Sequence, residues 1–250
     1  MVSLTSNKGA DRTFFVADLH LTDERPVATG RFFRFLDEEA QGADALYILG
    51  DLFEAWVGDD HDEQVAHDAA RRIKTLVDSG TPVYFMHGNR DFMLAERYAA
   101  LSGMTLIGDP TRIDLYGEPT LLMHGDTLCT DDTAYQAFRS RVRRPFILAL
   151  LRRLPLSLRH RMARQARAGS KSAKADKPAE IMDVNSDEVA RVLQAQQVTR
   201  LIHGHTHRPA HHTHTVDGRP CERWVMPDWY TRCGYVVCDS AGCALSVNDL

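Results

Sequence analysis

Seven side chains suited to holding a cation fall in five short segments of this 250-residue chain. They are Asp18 and His20 in "ADLHL", Asp51 in "LGDLFE", Asn89 in "HGNRD", His124 in "MHGD", and His205 and His207 in "HGHTH". Imidazole nitrogens, carboxylates and one amide oxygen, with no thiolate, suit Mn²⁺, Fe²⁺ or Zn²⁺ better than Ca²⁺ or a structural cysteine zinc site. Seven ligands exceed what one ion takes. Two ions roughly 3.5–4 Å apart, sharing a bridging carboxylate, would use them all. Gly50, Gly88, Gly125 and Gly204 each stand beside one of these residues, where a strand must turn sharply and the backbone must let ions approach. Each motif alone has an ordinary explanation: Asp51 as a turn or helix cap, "GNRD" as a turn, "GHTH" as a surface tract. A metal-storing histidine tract over 203–214 would leave Asp18, Asp51, Asn89 and His124 unexplained. The conjunction carries the weight.

The elements needed to bring these segments together are readable from periodicity. "TFFVADLHL", "ALYILGD" and "TPVYFMHGNRD" are apolar runs ending in polar residues, the pattern of buried strands. "GRFFRFLDEEAQGA" and "DEQVAHDAARRIKTLVDSG" have helical spacing between them, and "AERYAALSGM" is a short helix. "GDPTRIDLYGEPTLLMHGD" predicts a hairpin, "SDEVARVLQAQQ" a capped helix, "VTRLIHGHTHRP" a strand, and the tail from Cys221 short β-strands. A βαβαβ order predicts an α/β fold with parallel strands, and ligands bind at the carboxyl edge of such sheets. In "IHGHTHRP", Gly204 predicts a turn that leaves His205 and His207 as ligands to different ions. His203 is expected to support or pack beside the site, and His211, His212 and His214 to face solvent from a loop.

Composition narrows the class. The hydrophobic fraction of 44% is ordinary for a globular protein. The start "MVSLTSNKGADRT" lacks the apolar core of a signal peptide, and no apolar run is long enough to span a membrane. The five cysteines are odd in number and contain no CxxC pair, which predicts neither a disulfide framework nor a zinc ribbon and favours a reducing cytoplasm. The net charge of −4 conceals an asymmetry: residues 139–177 hold ten arginines and three lysines against one aspartate. From Thr133 to about Lys177 the chain is helical and strand-free in pattern, divided by Pro145, Pro155 and Pro178. It predicts a helical cap inserted at 133–178 into one domain spanning 1–250.

The ordered motifs DxH, GD, GNxD, HGD and GHTH resemble those of the calcineurin-like metallophosphoesterases over nearly the whole chain. The resemblance implies an αββα sandwich of two mixed sheets carrying the helical cap. It implies Asp18, His20, Asp51 and His207 around one metal ion and Asp51, Asn89, His124 and His205 around the other, with Asp51 bridging. Most members of the family read GNHD, where the histidine assists departure of the leaving group; here that position is Arg90. Together with "ILGDLFEAWVGDD", "MHGDTLCTDD", "RAGSKSAK" and "IMDVN", this departure is similar to the branch that cleaves the pyrophosphate of UDP-2,3-diacylglucosamine in lipid A biosynthesis. That branch implies two divalent ions, usually Mn²⁺, and release of UMP and 2,3-diacylglucosamine 1-phosphate. It implies Arg90, Asp51 and His124 as catalytic residues, and Asn89, Arg90, Asp132, Ser170, Lys174, Lys177 and His205 as substrate contacts. Other members often carry Asn at position 174.

The chemistry is coherent with that resemblance. A hydroxide held between two divalent ions is a nucleophile near neutral pH, because coordination lowers the pKa of water. An arginine fork clamps phosphate bidentately, and a departing phosphate needs a proton less than an alkoxide does. The basic insertion mixes aliphatics with arginines, as an amphipathic surface helix would. Phe146, Ile147, Leu150 and Leu154 are candidates for an acyl-chain groove, and the cations for phosphates or an anionic inner-membrane surface. A monomer, cytoplasmic and peripheral on that membrane, is the expected form. Nucleic acid is disfavoured because aliphatics rather than aromatics interleave the arginines. The rival readings are another metal-dependent nucleotide phosphodiesterase, which would not need the insertion, and a non-catalytic scaffold, which would lack ligands.

Overall fold

The computed structural model describes residues 11–175 and 183–250, with side chains for 11–168 and 183–250. Strands β1 (Thr13–Val16), β2 (Ala45–Leu49), β3 (Val83–Met86) and β4 (Thr105–Ile107) run parallel in one sheet. Strands β5 (Thr111–Leu115), β6 (Glu118–Met123), β7 (Arg200–His203), β8 (Ala210–Val216) and β9 (Arg219–Val225) form a second sheet in the order β5-β6-β7-β9-β8. The final hairpin, β10 (Arg232–Asp239) and β11 (Gly242–Asp249), returns to the first sheet, whose order is β11-β10-β1-β2-β3-β4. In the second sheet β6, β7 and β9 are mutually parallel. Both sheets are therefore mixed.

Side-chain alternation along β1 sorts the layers. Phe14 and Val16 point to α1 (Pro26–Arg34), α2 (Gln64–Asp78) and α3 (Glu96–Ser102), sharing a core with Phe32, Ile73 and Tyr98. Phe15 and Ala17 point the other way, onto Leu122, Ile202 and Met226 of the second sheet's face. The outer face of that sheet, through Leu121, Met123 and Leu201, packs on Val189, Val192 and Leu193 of α7 (Ser186–Gln196). Helices, sheet, sheet and helix stack in that order, as the motif pattern predicts. Asn185 caps α7 by accepting from the Asp187 and Glu188 N–H groups, so the helix expected there begins where its cap residue stands.

Between β6 and α7 the chain runs through α4 (Thr133–Val142), α5 (Pro145–Arg153) and α6 (Leu156–Ala175). Pro145 opens α5 at its first position, and Pro155 separates it from α6, which is the division the prolines predict. Leu148 and Leu151 of α5 pack on the first core, while Phe146 and Leu150 are 64% and 57% exposed. No described helix is long and apolar enough to cross a membrane.

Two expectations are corrected. Cys238 faces Cys243 across the β10–β11 register and the two form a disulfide, although no disulfide framework is expected from the cysteine count. Register, not spacing motif, brings them together. His211, His212 and His214 lie on β8 rather than in a loop. β8 is the edge of its sheet and largely solvated, so its polar sequence carries no apolar alternation to mark it as a strand. His211 stacks on Trp224, with ring centroids 3.9 Å apart.

Candidate metal centre and its supports

The parallel strands of both sheets end at one edge, and pairing continues past the strand ends. The Asp18 N–H donates to Gly50 O at 3.1 Å and the His20 N–H to Asp51 O at 2.9 Å, which lays the first loop along the second. From the other sheet, the Gly204 N–H donates to His124 O at 2.9 Å, and the His205 N–H to Asp18 Oδ2 at 2.7 Å. The two sheets meet closely here. A Cβ on Gly204 would lie 2.5 Å from Asp18 Oδ2 and 2.6 Å from Ala17 Cβ, and one on Gly50 2.5 Å from His124 Nδ1. Neither position has room for a side chain.

Asp18, His20 and His207 bring ligand atoms within 4.8 Å of one another, as do Asp18, Asp51 and His124. Asp51 sits between the groups: Oδ2 is 3.8 Å from His20 Nε2 and Oδ1 is 3.9 Å from His124 Nε2. Asn89 Oδ1 lies 3.2 Å from His124 Nε2, and the His205 ring is 5.0 Å from the His124 ring. All seven residues named from the sequence thus converge on one place. His203 does not join them. It is fully buried, with Nδ1 2.8 Å from Gly204 O and Nε2 3.2 Å from Arg223 Nη1. Burial, then the Arg223 charge, drives its pKa down to about 3, so it supports the loop as a neutral ring.

Backbone strain concentrates at the same residues. Among the described residues eight non-glycine positions have positive φ, and five of them are Asp18, His20, Asp51, His205 and His207. L-residues adopt that region at a cost of order 1–3 kcal/mol each, and such strain clusters at functional sites. The surrounding ladder holds it in place.

Orphaned atoms test whether cations fit. Asp18 Oδ1 and His20 Nε2 are buried without a hydrogen-bond partner. Leaving such atoms unsatisfied is costly, and a divalent cation would satisfy both at once. On three of the rings the other nitrogen lies toward a protein oxygen: His124 Nδ1 is 2.9 Å from Leu49 O, His20 Nδ1 3.3 Å from Glu54 Oε2, and His207 Nδ1 3.8 Å from Asp228 Oδ2. On His124, His20 and His207 that arrangement directs Nε2 inward, as metal-binding imidazoles require. The donor set fits two divalent ions.

The charges respond accordingly. Burial works to raise the Asp18 pKa, but His207, its Nε2 3.5 Å from Asp18 Oδ1, with the charges of His124 and His20, holds it well below the usual carboxylate range. Burial opposes charging His124, yet Asp51, Asp126 and Asp18 raise it to about 9. Cation binding must displace that proton.

Several supports carry no motif of their own. Asp91 is fully buried and accepts from the Leu52 N–H at 2.7 Å, the Gly88 N–H at 2.8 Å and the Asp51 N–H at 3.4 Å, clamping two ligand loops together. Asp126, equally buried, accepts from Tyr135 Oη at 2.5 Å and Arg139 Nε at 2.6 Å, tying α4 to the loop after β6. Both belong to the quoted "GNRD" and "HGD" strings, which was the available signal. Glu54 closes the quoted "LGDLFE" string in the same way, whereas Asp228 had no such signal.

Arg90 stands at the rim. Its N–H donates to Asp51 Oδ1 at 2.8 Å, its carbonyl accepts from the Trp56 N–H at 2.9 Å, and its Nε is buried without a partner. Asp132 caps α4, its Oδ1 accepting from the Tyr135 N–H at 3.1 Å. Ser170 and Lys174 lie on α6, where only the backbone is described, and Lys177 lies outside the described residues.

The sequence profile of the family described as Calcineurin-like phosphoesterase matches residues 12–209. The chain is 53% identical over 233 residues to a UDP-2,3-diacylglucosamine hydrolase of Enterobacter sp. (strain 638), covering 93% of this chain and 97% of that protein. It is 52% identical over 219 residues to the proteins of that name from Klebsiella pneumoniae subsp. pneumoniae and Escherichia coli O127:H6, covering 88% of this chain and 91% of each.

Proposed function

The chain belongs to the calcineurin-like phosphoesterase family, and on that footing we propose that it hydrolyses the pyrophosphate of UDP-2,3-diacylglucosamine. Water adds to one phosphorus, the bridging P–O bond breaks, and UMP and 2,3-diacylglucosamine 1-phosphate leave. The observation that carries this reading is Arg90 beside the paired ligand clusters, its buried Nε unmatched by any protein acceptor. Two divalent ions held by the seven ligands, Mn²⁺ in this proposal, supply Lewis acidity and lower the pKa of water.

The chain's own residues do the rest. Asp51 and His124 hold the centre of the cluster, with Asp51 also fixing the Arg90 backbone. The Arg90 guanidinium offers two parallel N–H groups to the departing phosphate and offsets its charge. Asn89 and His205 flank the same opening, and Asp132, Ser170, Lys174 and Lys177 are assigned to the sugar and phosphate portions of the substrate.

Residues 133–178 form the cap of a single domain in this reading. Of the ten large hydrophobics most exposed among the described residues, Phe138, Phe146, Leu150, Leu158 and Met162 lie there. An apolar surface set among arginines suits acyl chains and an anionic membrane face better than water. The chain works as a monomer at the cytoplasmic face of the inner membrane.

The test is release of UMP from UDP-2,3-diacylglucosamine in detergent micelles, with and without Mn²⁺. Turnover that needs the cation and is lost in Asp51→Ala is expected. No UMP from the wild type, or full activity in that variant, would sink the proposal.

A further inference from the structure

Among the contacts that join the cap to the catalytic layer is one buried cation that the proposed chemistry does not use. Arg159, on α6, is 4% exposed. Its Nη1 donates to Val57 O at 2.5 Å and Asp60 Oδ1 at 2.7 Å, its Nη2 to Asp60 Oδ2, and its Nε to Leu154 O at 2.9 Å. The guanidinium therefore joins the α5–α6 corner to the loop that follows Asp51. Gly58 makes the socket. Its φ of +139° suits glycine, and a Cβ there would lie 2.1 Å from Arg159 Nη1 and 2.8 Å from Asp60 Oδ1.

The same loop reaches the phosphate-handling arginine. The Trp56 N–H donates to Arg90 O at 2.9 Å, and the next residue, Val57, supplies the carbonyl that receives Arg159. Trp56 is itself held, stacked on Phe53 at 4.8 Å and donating from Nε1 to Asp59 Oδ1 at 3.0 Å. Asp59 in turn accepts from the Ala95 and Tyr98 N–H groups. One short rigid segment thus carries the cap at one end and the Arg90 backbone at the other.

We propose that Arg159, seated in the Gly58–Asp60 socket, is a positioning residue that sets the cap relative to Arg90 and so selects for acylated substrate. This rests on the reading above that the cap receives acyl chains and Arg90 the departing phosphate. A planar guanidinium making two parallel bonds to one carboxylate fixes orientation as well as distance, which a lysine ammonium does less well. Its loss loosens the α5–α6 corner, while α4 stays tied to Asp126 and Leu148 and Leu151 stay on the core, and it removes no metal ligand.

The test compares the acylated substrate with bis(4-nitrophenyl) phosphate, a soluble diester with neither acyl chains nor a departing phosphate, in the full-length protein with Mn²⁺. Arg159→Gln and Asp60→Asn are each expected to raise KM for UDP-2,3-diacylglucosamine about tenfold, the equivalent of one lost charge-assisted contact. Hydrolysis of the soluble diester stays within about twofold of wild type, and Arg159→Lys recovers part of the KM. Equal losses on both substrates, or no change on either, overturn the proposal. Hydrogen exchange of α5 and α6 reads the latch without any substrate: faster exchange in both variants supports it, and unchanged exchange overturns it. A wild type inactive on the acylated substrate would instead defeat the functional reading, leaving the exchange result to stand by itself.

Discussion

Replacing Gly88 by alanine would put a methyl carbon 2.1 Å from Asp51 Oδ1, 2.3 Å from Asp51 N and 2.8 Å from Asp51 Cγ. Ordinary carbon contacts begin near 3.4 Å, so the Asp51 carboxylate must retreat by roughly 1.3 Å or the β2 and β3 loops must part by that much. Rotating the carboxylate is not sufficient, because a backbone nitrogen stands in the same path. Asp91 clamps both loops and resists their separation. Overpacking of this kind costs about 1–3 kcal/mol in stability, and a misplacement of about 1 Å at a reacting centre costs on the order of 100-fold in rate. Gly88→Ala is therefore expected to fold with a lowered Tm, to bind less Mn²⁺ by elemental analysis, and to lose at least about 100-fold in kcat/KM. Gly30→Ala is the matched control. Gly30 lies inside α1 with nothing within 4 Å of the added Cβ, and should gain about 0.5–1 kcal/mol with unchanged turnover. Wild-type turnover and metal content in Gly88→Ala would refute the close packing of the two loops around Asp51.

Arg90→Ala should keep both ions yet lose on the order of 100-fold in kcat, as expected for a charge-stabilising contact made to the departing group; an empty ion site by elemental analysis would contradict that role. Asp91→Ala removes the acceptor of two short buried N–H bonds and should lower stability by about 3–5 kcal/mol in urea melts, with a loss under about 1 kcal/mol counting against the clamp. Because His124 is protonated up to about pH 9 in the metal-free chain and must be neutral to ligate, Mn²⁺ affinity should rise with pH below that value. The slope is about tenfold per unit for one displaced proton, and calorimetry showing no proton release at pH 7 would disprove it. Phe146→Asp with Leu150→Asp should weaken binding to phosphatidylglycerol vesicles without lowering Tm, since both side chains are mostly exposed; unaltered vesicle binding would remove the cap from the membrane contact.

The candidate ligands were legible because their signal is local. Each is a polar residue at or within a few residues of the end of an apolar run, and chain geometry delivers the ends of parallel strands to one edge whatever the loops do. The layers followed from the same runs, since Phe14 and Phe15 in sequence are bound to opposite faces of the sheet. The edge strand β8 was not legible, because a solvated strand needs no apolar pattern. Nor was the Cys238–Cys243 bond, which depends on the register of a hairpin. The roles of Glu54 and Asp228, which face the outer nitrogens of His20 and His207, were not legible, because no spacing in the chain marks which acid will lie beside which imidazole.

What the sequence by itself determined is the candidate cation-binding groups, the parallel α/β pattern that gathers them, and the basic helical segment set between β6 and α7. Tertiary structure alone decided how those groups divide and what holds them. His205 meets Asp18 across 187 residues of chain, and Arg159 meets Asp60 across 99. Such contacts arise only when two sheets close against each other or a cap settles on its domain. The cause is physical: a motif records which atoms are present, whereas distance, burial and the orientation of an imidazole are set by packing between segments that are strangers in sequence.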